Sequence, residues 1–148
     1  MVFFLARRRR TGQSSDSCTE GNDMSDIEST SASGDGYHVI RSAELAPESG
    51  RTVTFEGEPY GAGISFFHVH NGPGEGPRLH RHPYPETWIV RSGRVIFRAG
   101  TEEIEAGPGD VVVAEAGMPH GFLNPGPERL ELVCIHAAER MIQEWLES

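Results

Sequence analysis

The sequence contains no lysine, few cysteines and no long apolar run. Acidic residues outnumber the arginines, 22 against 13, and the formal net charge is −9. A chain of that charge is repelled by a phosphate backbone, so we expect no nucleic-acid partner. No stretch approaches the roughly 18 consecutive apolar residues that a membrane-spanning helix requires, so we expect no membrane span either.

The two cysteines lie in different settings. Cys18 belongs to a polar segment, whereas Cys134 lies in the apolar run LELVCI. We therefore expect no disulfide framework. The opening residues, MVFFLARRRR, place a short apolar patch before the arginines, which is the reverse of the order in a secretory signal peptide. These features predict a cytoplasmic protein.

Composition divides the chain into a tail and one domain. Residues 1–35 are rich in Ser, Asp, Glu and Gly and have almost no periodic apolar pattern. Such a segment cannot bury enough surface to offset its ordering entropy, so we predict that it is disordered. The run Arg7–Arg10 invites an anion-binding interpretation, but we favour the alternative that the segment before Met24 is an upstream extension that is not normally translated. Residues 36–148 have the length of a single domain.

The domain predicts an all-β architecture, because short apolar stretches alternate with Gly and Pro turns throughout. A barrel or jelly roll is the arrangement that this pattern favours. Ser92-Gly93 predicts a tight hairpin between two of the strands. The predicted strands are residues 37–42, 51–56, 62–70, 79–82, 86–91, 94–99, 101–105, 111–114, 121–123 and 129–136. We expect the apolar run at 111–114 to be buried.

The last stretch, AERMIQEWLE, predicts the one helix of the domain. Met141, Ile142, Trp145 and Leu146 fall on a single face at helical spacing. We expect this C-terminal helix to cover the barrel or to contribute to an interface between two copies of the chain.

The stretch GEGPRLHRHPYPETWIVRSG holds the most informative side chains. His80 and His82 are two residues apart, so on a strand both imidazoles point to one side. Two prolines then force a turn. Glu86 opens a second strand, which we expect to fold back beside the first. Two imidazoles and a carboxylate brought together in this way indicate a metal site.

This stretch resembles the first motif of the cupin superfamily at every fixed position, namely Gly74, His80, His82, Glu86 and Gly93. A second motif follows after a short spacer. The resemblance as a whole covers roughly residues 36 to 148.

The second motif is similar to that of the cupins at Gly109, Gly117, His120 and Asn124, and it departs from the pattern where Glu115 replaces a proline. The resemblance implies a double-stranded β-helix, which is a jelly-roll barrel. It also implies that one metal ion is held by four side chains. These are His80, His82, Glu86 and His120.

Three imidazoles and one carboxylate suit a divalent transition metal ion such as Fe, Mn, Ni, Cu or Zn. If the ion is six-coordinate, two positions stay open for water, a substrate or dioxygen.

Strand phase predicts which other side chains line the site. Trp88 shares the face of Glu86, and Phe122 and Asn124 share the face of His120. His136 closes an apolar row on its own strand, and two roles stay open for it. It is either a proton relay or substrate contact at the barrel mouth, or a structural residue that caps the strand.

Four further side chains invite a role in the site. His68 and His70 form a second pair two residues apart, but the motif already supplies four ligands, so we favour a pocket-lining role for them. Arg78 and Tyr84 flank the site in loops and are candidates for contact with an anionic substrate.

The sequence as a whole predicts a metal-binding cupin that acts on a small organic molecule, with dioxygenase-like activity as the first hypothesis. The alternatives are a non-catalytic cupin that binds a small molecule or a sugar, and a cupin of the sugar isomerase or lyase type. Fold alone does not choose among these activities. We expect a homodimer, because the predicted strand Tyr37–Ser42 would otherwise leave unpaired backbone groups at an edge.

Overall fold

The computed structural model describes residues 32–45 and 52–146. Most of the predicted tail, residues 1–31, lies outside the described residues. Twelve strands, one four-residue α-helix, α1 (Ser42–Leu45), and one 3₁₀ helix (Glu58–Tyr60) follow one another along the described chain. The strands are β1 (Ala32–Gly34), β2 (Tyr37–Val39), β3 (Thr52–Glu56), β4 (Ser65–Asn71), β5 (His80–Arg81), β6 (Glu86–Ser92), β7 (Val95–Ala99), β8 (Glu102–Ala106), β9 (Val111–Ala114), β10 (His120–Leu123), β11 (Leu130–His136) and β12 (Glu144–Trp145).

Ten of these strands form two five-stranded antiparallel sheets. The β11 sheet has the order β3-β4-β11-β6-β9, and the β10 sheet has the order β12-β5-β10-β7-β8. Strands β1 and β2 form a separate two-stranded hairpin. The predicted all-β jelly roll of the double-stranded β-helix type is confirmed. The functional side chains lie between the two large sheets.

Alternation along each strand separates an inner from an outer face. On β11, Leu130 and Leu132 are fully buried, whereas Val133 and Ile135 point outward and are only half-buried. Successive side chains on a strand point to opposite faces, so one face of each sheet supplies the core. The core is built from eleven buried side chains, namely Val69, Trp88, Val90, Val95, Phe97, Ala106, Ala114, Phe122, Leu130, Leu132 and Cys134.

The predicted hairpin at Ser92-Gly93 is wrong. Strand β6 belongs to the β11 sheet and β7 to the β10 sheet, so the turn carries the chain from one sheet to the other. Gly93 has a φ of 78°, a left-handed conformation that side chains disfavour. A Cβ atom at Gly93 would also lie 2.5 Å from the carbonyl oxygen of Arg129. Glycine is therefore required at this crossing.

The predicted C-terminal helix is also wrong. We call residues 137–146 the C-terminal strap, because this segment runs in an irregular, extended path and ends in β12, which pairs with β5. The strap satisfies its backbone through the barrel: Ala137 N–H donates to the Pro85 carbonyl, and Leu146 N–H donates to the Leu79 carbonyl. A ten-residue helix is marginal in isolation, so these tertiary bonds override the helical pattern.

Three smaller differences concern the ends and faces of strands. Ala32–Gly34 was expected to belong to the disordered tail but forms β1. The predicted strand Tyr37–Ser42 ends at Val39, and α1 begins at Ser42. Val111 and Val113, which lie in an apolar run predicted to be buried, are 59% and 60% exposed on the outer face of β9.

Within the described residues, no helix is long and apolar enough to cross a membrane.

Candidate metal centre

The four side chains of the double motif meet between the two sheets. His80 begins β5 and His120 begins β10, and the two residues are direct partners in the β10 sheet. Glu86 begins β6 in the opposite sheet, and His82 lies in the turn that connects β5 to β6. The expectation that β6 folds back beside β5 is wrong, because the carboxylate faces the imidazoles from the other sheet. All four residues are at most 5% exposed.

Each of the three imidazoles donates its Nδ1 hydrogen to a backbone carbonyl. The acceptors are Arg78 for His80, Ile142 for His82 and Met118 for His120, each at 2.7 Å. A carbonyl oxygen only accepts, so Nδ1 carries the proton and Nε2 of a neutral ring presents a lone pair. This arrangement fixes both the tautomer and the orientation of a ligating histidine.

The free ring nitrogens converge on the carboxylate. Glu86 Oε2 is 2.9 Å from Nε2 of both His82 and His120. The contact with His120 has hydrogen-bond geometry, but His82 Nε2 is buried without a hydrogen-bond partner. One potential ligand atom from each of the four residues lies within 4.8 Å of the others.

This geometry fits a cation. Lone pairs that face a carboxylate repel it unless a proton or a metal ion lies between them, and an unsatisfied buried nitrogen is costly. A single divalent ion at the point of convergence would satisfy every one of these atoms. The four residues are therefore a possible His/Glu metal site, as the motif predicts.

The protonation states also suit a metal. Burial raises the pKa of Glu86, but the adjacent imidazoles of His120 and His82 outweigh burial and lower that pKa to about 2. Burial lowers the pKa of His80. Glu86 is thus an anion at neutral pH and His80 favours its neutral form, and these are the forms in which both side chains ligate a metal.

His136 completes the cluster from β11, where it is the direct partner of Glu86. It is 1% exposed, and its Nε2 lies 3.5 Å from Glu86 Oε1. Burial lowers the pKa of His136 to about 4, so the ring is neutral at neutral pH. Neither ring nitrogen has a hydrogen-bond partner. A neutral imidazole without partners at a cavity wall offers one donor and one acceptor to a bound molecule.

A cavity of about 280 Å³ opens beside the cluster. Phe122 and His136 line it. The other two expected lining residues do not: Trp88 packs edge-on against His120 with ring centroids 5.1 Å apart, and Asn124 ties together the backbone at Asn71, Gly126 and Glu128. Both side chains lie outside the cavity lining and support the site through these contacts. The full lining is Thr52, Phe67, Val69, Asn71, Pro77, His80, Glu86, Phe122, Cys134, His136, Gln143 and Trp145.

Several of these lining residues were missed in the sequence. Phe67 and Val69 alternate with His68 and His70 along β4. Placing the two histidines on the inward face therefore places Phe67 and Val69 on the outward face. Trp145 comes from the strap, and its ring lies 5.3 Å from that of His80. The apolar stripe of the strap was the available signal, but it was interpreted as one face of a helix.

The pocket-lining role expected for His68 and His70 is wrong. The inward phase of β4 is Ser65, Phe67 and Val69, so the two histidines lie on the outer face of the β11 sheet.

Arg78 and Tyr84, the loop residues that are candidates for substrate contact, contact the strap. The Tyr84 hydroxyl accepts a hydrogen bond from Ile142 N–H at 2.7 Å and donates one to the Ile142 carbonyl at 3.1 Å. The Arg78 guanidinium lies 5.7 Å from the centre of the Trp145 ring.

Comparison with known proteins agrees with this architecture. Residues 67–136 match the model of the cupin domain family. None of the curated proteins matches the sequence significantly. Among solved structures, an uncharacterised conserved protein with a double-stranded β-helix domain from Klebsiella pneumoniae is 24% identical with a TM-score of 0.58, over 74% of this chain and 97% of that one.

Two further solved structures carry a named activity. An oxalate decarboxylase formate complex from Lactobacillus farciminis is 23% identical with a TM-score of 0.64, over 72% of this chain and 35% of that one. A putative sugar phosphate isomerase from Acidithiobacillus ferrooxidans is 24% identical with a TM-score of 0.50, over 57% of this chain and 58% of that one. This chain thus spans about a third of the decarboxylase. At these identities the likeness concerns the fold.

Proposed function

Because this chain carries a cupin domain, we propose that it is a metal-dependent enzyme that acts on a small organic molecule. His80, His82, Glu86 and His120 would hold one divalent transition metal ion, with Fe, Mn, Ni, Cu and Zn as the candidates. The observation that carries the proposal is the convergence of buried donor atoms, including the unpartnered Nε2 of His82, beside an open cavity. A purely structural metal site would be closed on all sides by protein.

When bound, such an ion supplies positive charge and open coordination positions to an oxygen-bearing substrate or to dioxygen. The residues of this chain supply orientation and a dry environment. Backbone carbonyls fix the three imidazoles, and Trp88 and Phe122 exclude water from their inner side.

The cavity wall limits the substrate class. Among the described residues that line it there is no arginine or lysine, and the uncharged polar side chains are Thr52, Asn71 and Gln143. A phosphate or a dianion would therefore meet no fixed positive side chain in the wall. A volume of about 280 Å³ lies at the low end for a ligand site. We infer a small, mainly apolar molecule with one or two oxygen atoms that face the cluster.

His136 would contact the bound molecule directly. Its two unpartnered nitrogens lie in the cavity wall beside Glu86, so the neutral ring can donate a hydrogen bond through one nitrogen and accept one through the other. A neutral imidazole in that position can hold or return a proton of the substrate. Cys134 also lines the cavity, but burial raises its pKa well above the ordinary value, so the thiol stays protonated and is not a nucleophile.

Dioxygenase-like activity is the reaction class that we propose first, because an apolar cavity beside open coordination positions suits dioxygen and a chelating substrate. A non-catalytic small-molecule or sugar-binding protein is the alternative, with a sugar isomerase or lyase as a further one. The wall without fixed positive side chains argues against a sugar phosphate.

The test is a screen of small molecules with paired oxygen atoms, including oxalate because a structural relative is an oxalate decarboxylase. Protein purified without chelating resin would be analysed for metal and then incubated with each compound in air. Oxygen uptake and product mass would be recorded for metal-loaded and chelator-treated samples. We expect conversion in the loaded state, and loss of conversion in Glu86→Gln and His136→Phe variants.

Two results would contradict the proposal. Wild-type protein that holds no transition metal under any loading condition would remove the metal site. Equal binding of a screened compound by loaded and stripped protein, with no product, would favour the binding protein over the enzyme.

We also propose that the partner of this chain is a second copy of itself, in addition to its small-molecule substrate. Strand β9 is an edge of the β11 sheet and exposes Val111 and Val113, and edge strands with apolar side chains favour association. Light scattering at micromolar concentration is expected to give twice the chain mass of 16.2 kDa. A monomer mass at that concentration would contradict the dimer.

A further inference from the structure

The outer face of the β11 sheet carries a second cluster of potentially metal-ligating side chains, which lie outside the two cupin motifs. His68 and His70 come from β4 and Glu131 comes from β11. Glu131 is the direct partner of His70 in the antiparallel register, and His68 is the next outward residue on the same strand. One ligand atom from each residue lies within 4.8 Å of the others.

The three side chains are already in contact. His68 Nε2 lies 3.0 Å from Glu131 Oε1, and the rings of His68 and His70 have centroids 4.4 Å apart. Ser92 Oγ donates to Glu131 Oε2 at 3.4 Å, which orients the carboxylate from β6. Two imidazoles two residues apart on a strand and a carboxylate on the next strand can therefore reach one ion without movement of the backbone.

The surroundings distinguish this cluster from a chance group of surface polar residues. The neighbouring outward side chains on β3, β4 and β11 are apolar, namely Val53, Phe55, Phe66, Val133 and Ile135. His68 and Glu131 are 32% and 35% exposed. A cation at this position would thus be half-shielded from water by apolar side chains, which strengthens its attraction to the carboxylate.

We propose that His68, His70 and Glu131 form a second metal site that binds a divalent, imidazole-preferring ion such as Zn²⁺. Two nitrogen donors and one oxygen donor favour the later transition ions and Zn²⁺ over Mg²⁺ or Ca²⁺, which take oxygen ligands. Three protein ligands leave at least one position open to solvent. The ion would clamp β4 to β11 on the face opposite the cavity, and it would exchange readily with solution. This site is independent of the function proposed for the buried cluster.

The test is equilibrium dialysis of the full chain at a buffered free Zn²⁺ concentration, with bound zinc counted per chain. Wild-type protein is expected to bind two ions, and His68→Gln/His70→Gln is expected to bind one. His70→Gln alone leaves two ligands and is expected to weaken the second site at least about tenfold, since even outer-sphere changes at metal sites cost about 10–100-fold. Replacing Zn²⁺ by Mg²⁺ is expected to leave the outer cluster empty.

The matched control is His38→Gln, which removes an exposed histidine of the β1–β2 hairpin and is expected to keep both ions. A His80→Ala/His82→Ala variant disables the buried cluster and is expected to retain the outer ion, so failure of the buried site would not be mistaken for failure of this one. Glu131→Gln gives a further check that leaves both histidines in place. The proposal is overturned if wild-type protein binds only ions that survive His68→Gln/His70→Gln.

Discussion

Two histidine pairs with the same spacing lie on opposite faces of this barrel. His80 and His82 lie inside, between the sheets, and His68 and His70 lie outside on β4. Both pairs have a glutamate within hydrogen-bond distance of an imidazole. The inner pair, however, is bound through Nδ1 to backbone carbonyls, whereas His68 uses its Nε2 to contact the carboxylate itself.

The difference teaches what spacing alone does not provide. Backbone carbonyls cannot rearrange freely, so the inner nitrogens are held in place without an ion, and four donors would share the proposed ion. The outer side chains contact one another at a half-exposed surface, where rotamer freedom and water compete with a metal. We therefore expect the inner cluster to bind far more tightly than the outer one.

The largest effect is expected from breaking the inner pair. After dialysis against a weak chelator that strips exposed ions, wild-type protein should keep close to one transition ion per chain. His80→Ala/His82→Ala should keep almost none, because half of the donors are lost and Glu86 loses a neighbouring imidazole. Elemental analysis of the dialysed protein measures this directly.

The matched variant on the outer face is His68→Ala, which should retain the inner ion after the same dialysis. Stoichiometric metal in His80→Ala/His82→Ala would show that the motif histidines are not ligands.

A smaller effect separates the two faces of a single strand. Leu132→Ala removes a fully buried side chain of β11 and should lower the free energy of unfolding by about 2–5 kcal/mol. Val133→Ala, one residue further along, removes half-exposed outward methyl groups and should cost about 1 kcal/mol or less. Urea unfolding of metal-stripped protein measures both. Equal losses would mean that the outer face is covered in solution.

The smallest effect concerns support for the inner pair. Tyr84→Phe removes the hydroxyl that holds Ile142, whose carbonyl accepts from His82 Nδ1. The ring that stacks on His82 is kept, so the expected result is a loss of metal affinity of about tenfold with little change in stability. Competition with a chelator of known affinity measures it.

Arg81→Gln is the control for Tyr84→Phe. It breaks the exposed pair with Glu144 on the same strap, and exposed pairs contribute little. If Arg81→Gln lowered the metal affinity as much as Tyr84→Phe, the loss would come from any disturbance of the strap and not from the Tyr84 hydroxyl.

The sequence predicted the convergence of the four inner side chains, because its signals are local. Glu86, Trp88 and Val90 alternate with polar or less buried neighbours, and period two identifies their shared face without knowledge of the rest of the fold. The jelly roll and the meeting of the four motif residues followed from the double motif. The double motif did not predict the sheet to which each strand belongs. The Ser92-Gly93 turn has the sequence of a hairpin, but it carries the chain from one sheet to the other.

The outer face and the strap were predicted poorly for physical reasons. An unbroken run such as Val111 to Val113 has no alternation, so nothing in it indicates which side chains face outward. In β4, Phe66 and Phe67 are adjacent aromatic residues, and only the packing of Phe67 against the core and its place in the cavity wall show that it is the inward one. The strap follows the barrel surface through contacts with residues about sixty positions away. Contacts over such a sequence separation cannot be predicted from the local pattern of the strap.

The bond from His82 to the Ile142 carbonyl couples the far end of the chain to the ion-binding cluster. Linkage makes this coupling reciprocal: an ion that tightens His82 against Ile142 also holds the strap against the barrel, and whatever detaches the strap lowers the affinity for the ion by the same factor. Trp145 belongs to the strap and forms part of the cavity wall. If the proposed ion binds, its retention and the closure of the cavity wall would therefore both depend on the docking of these ten residues.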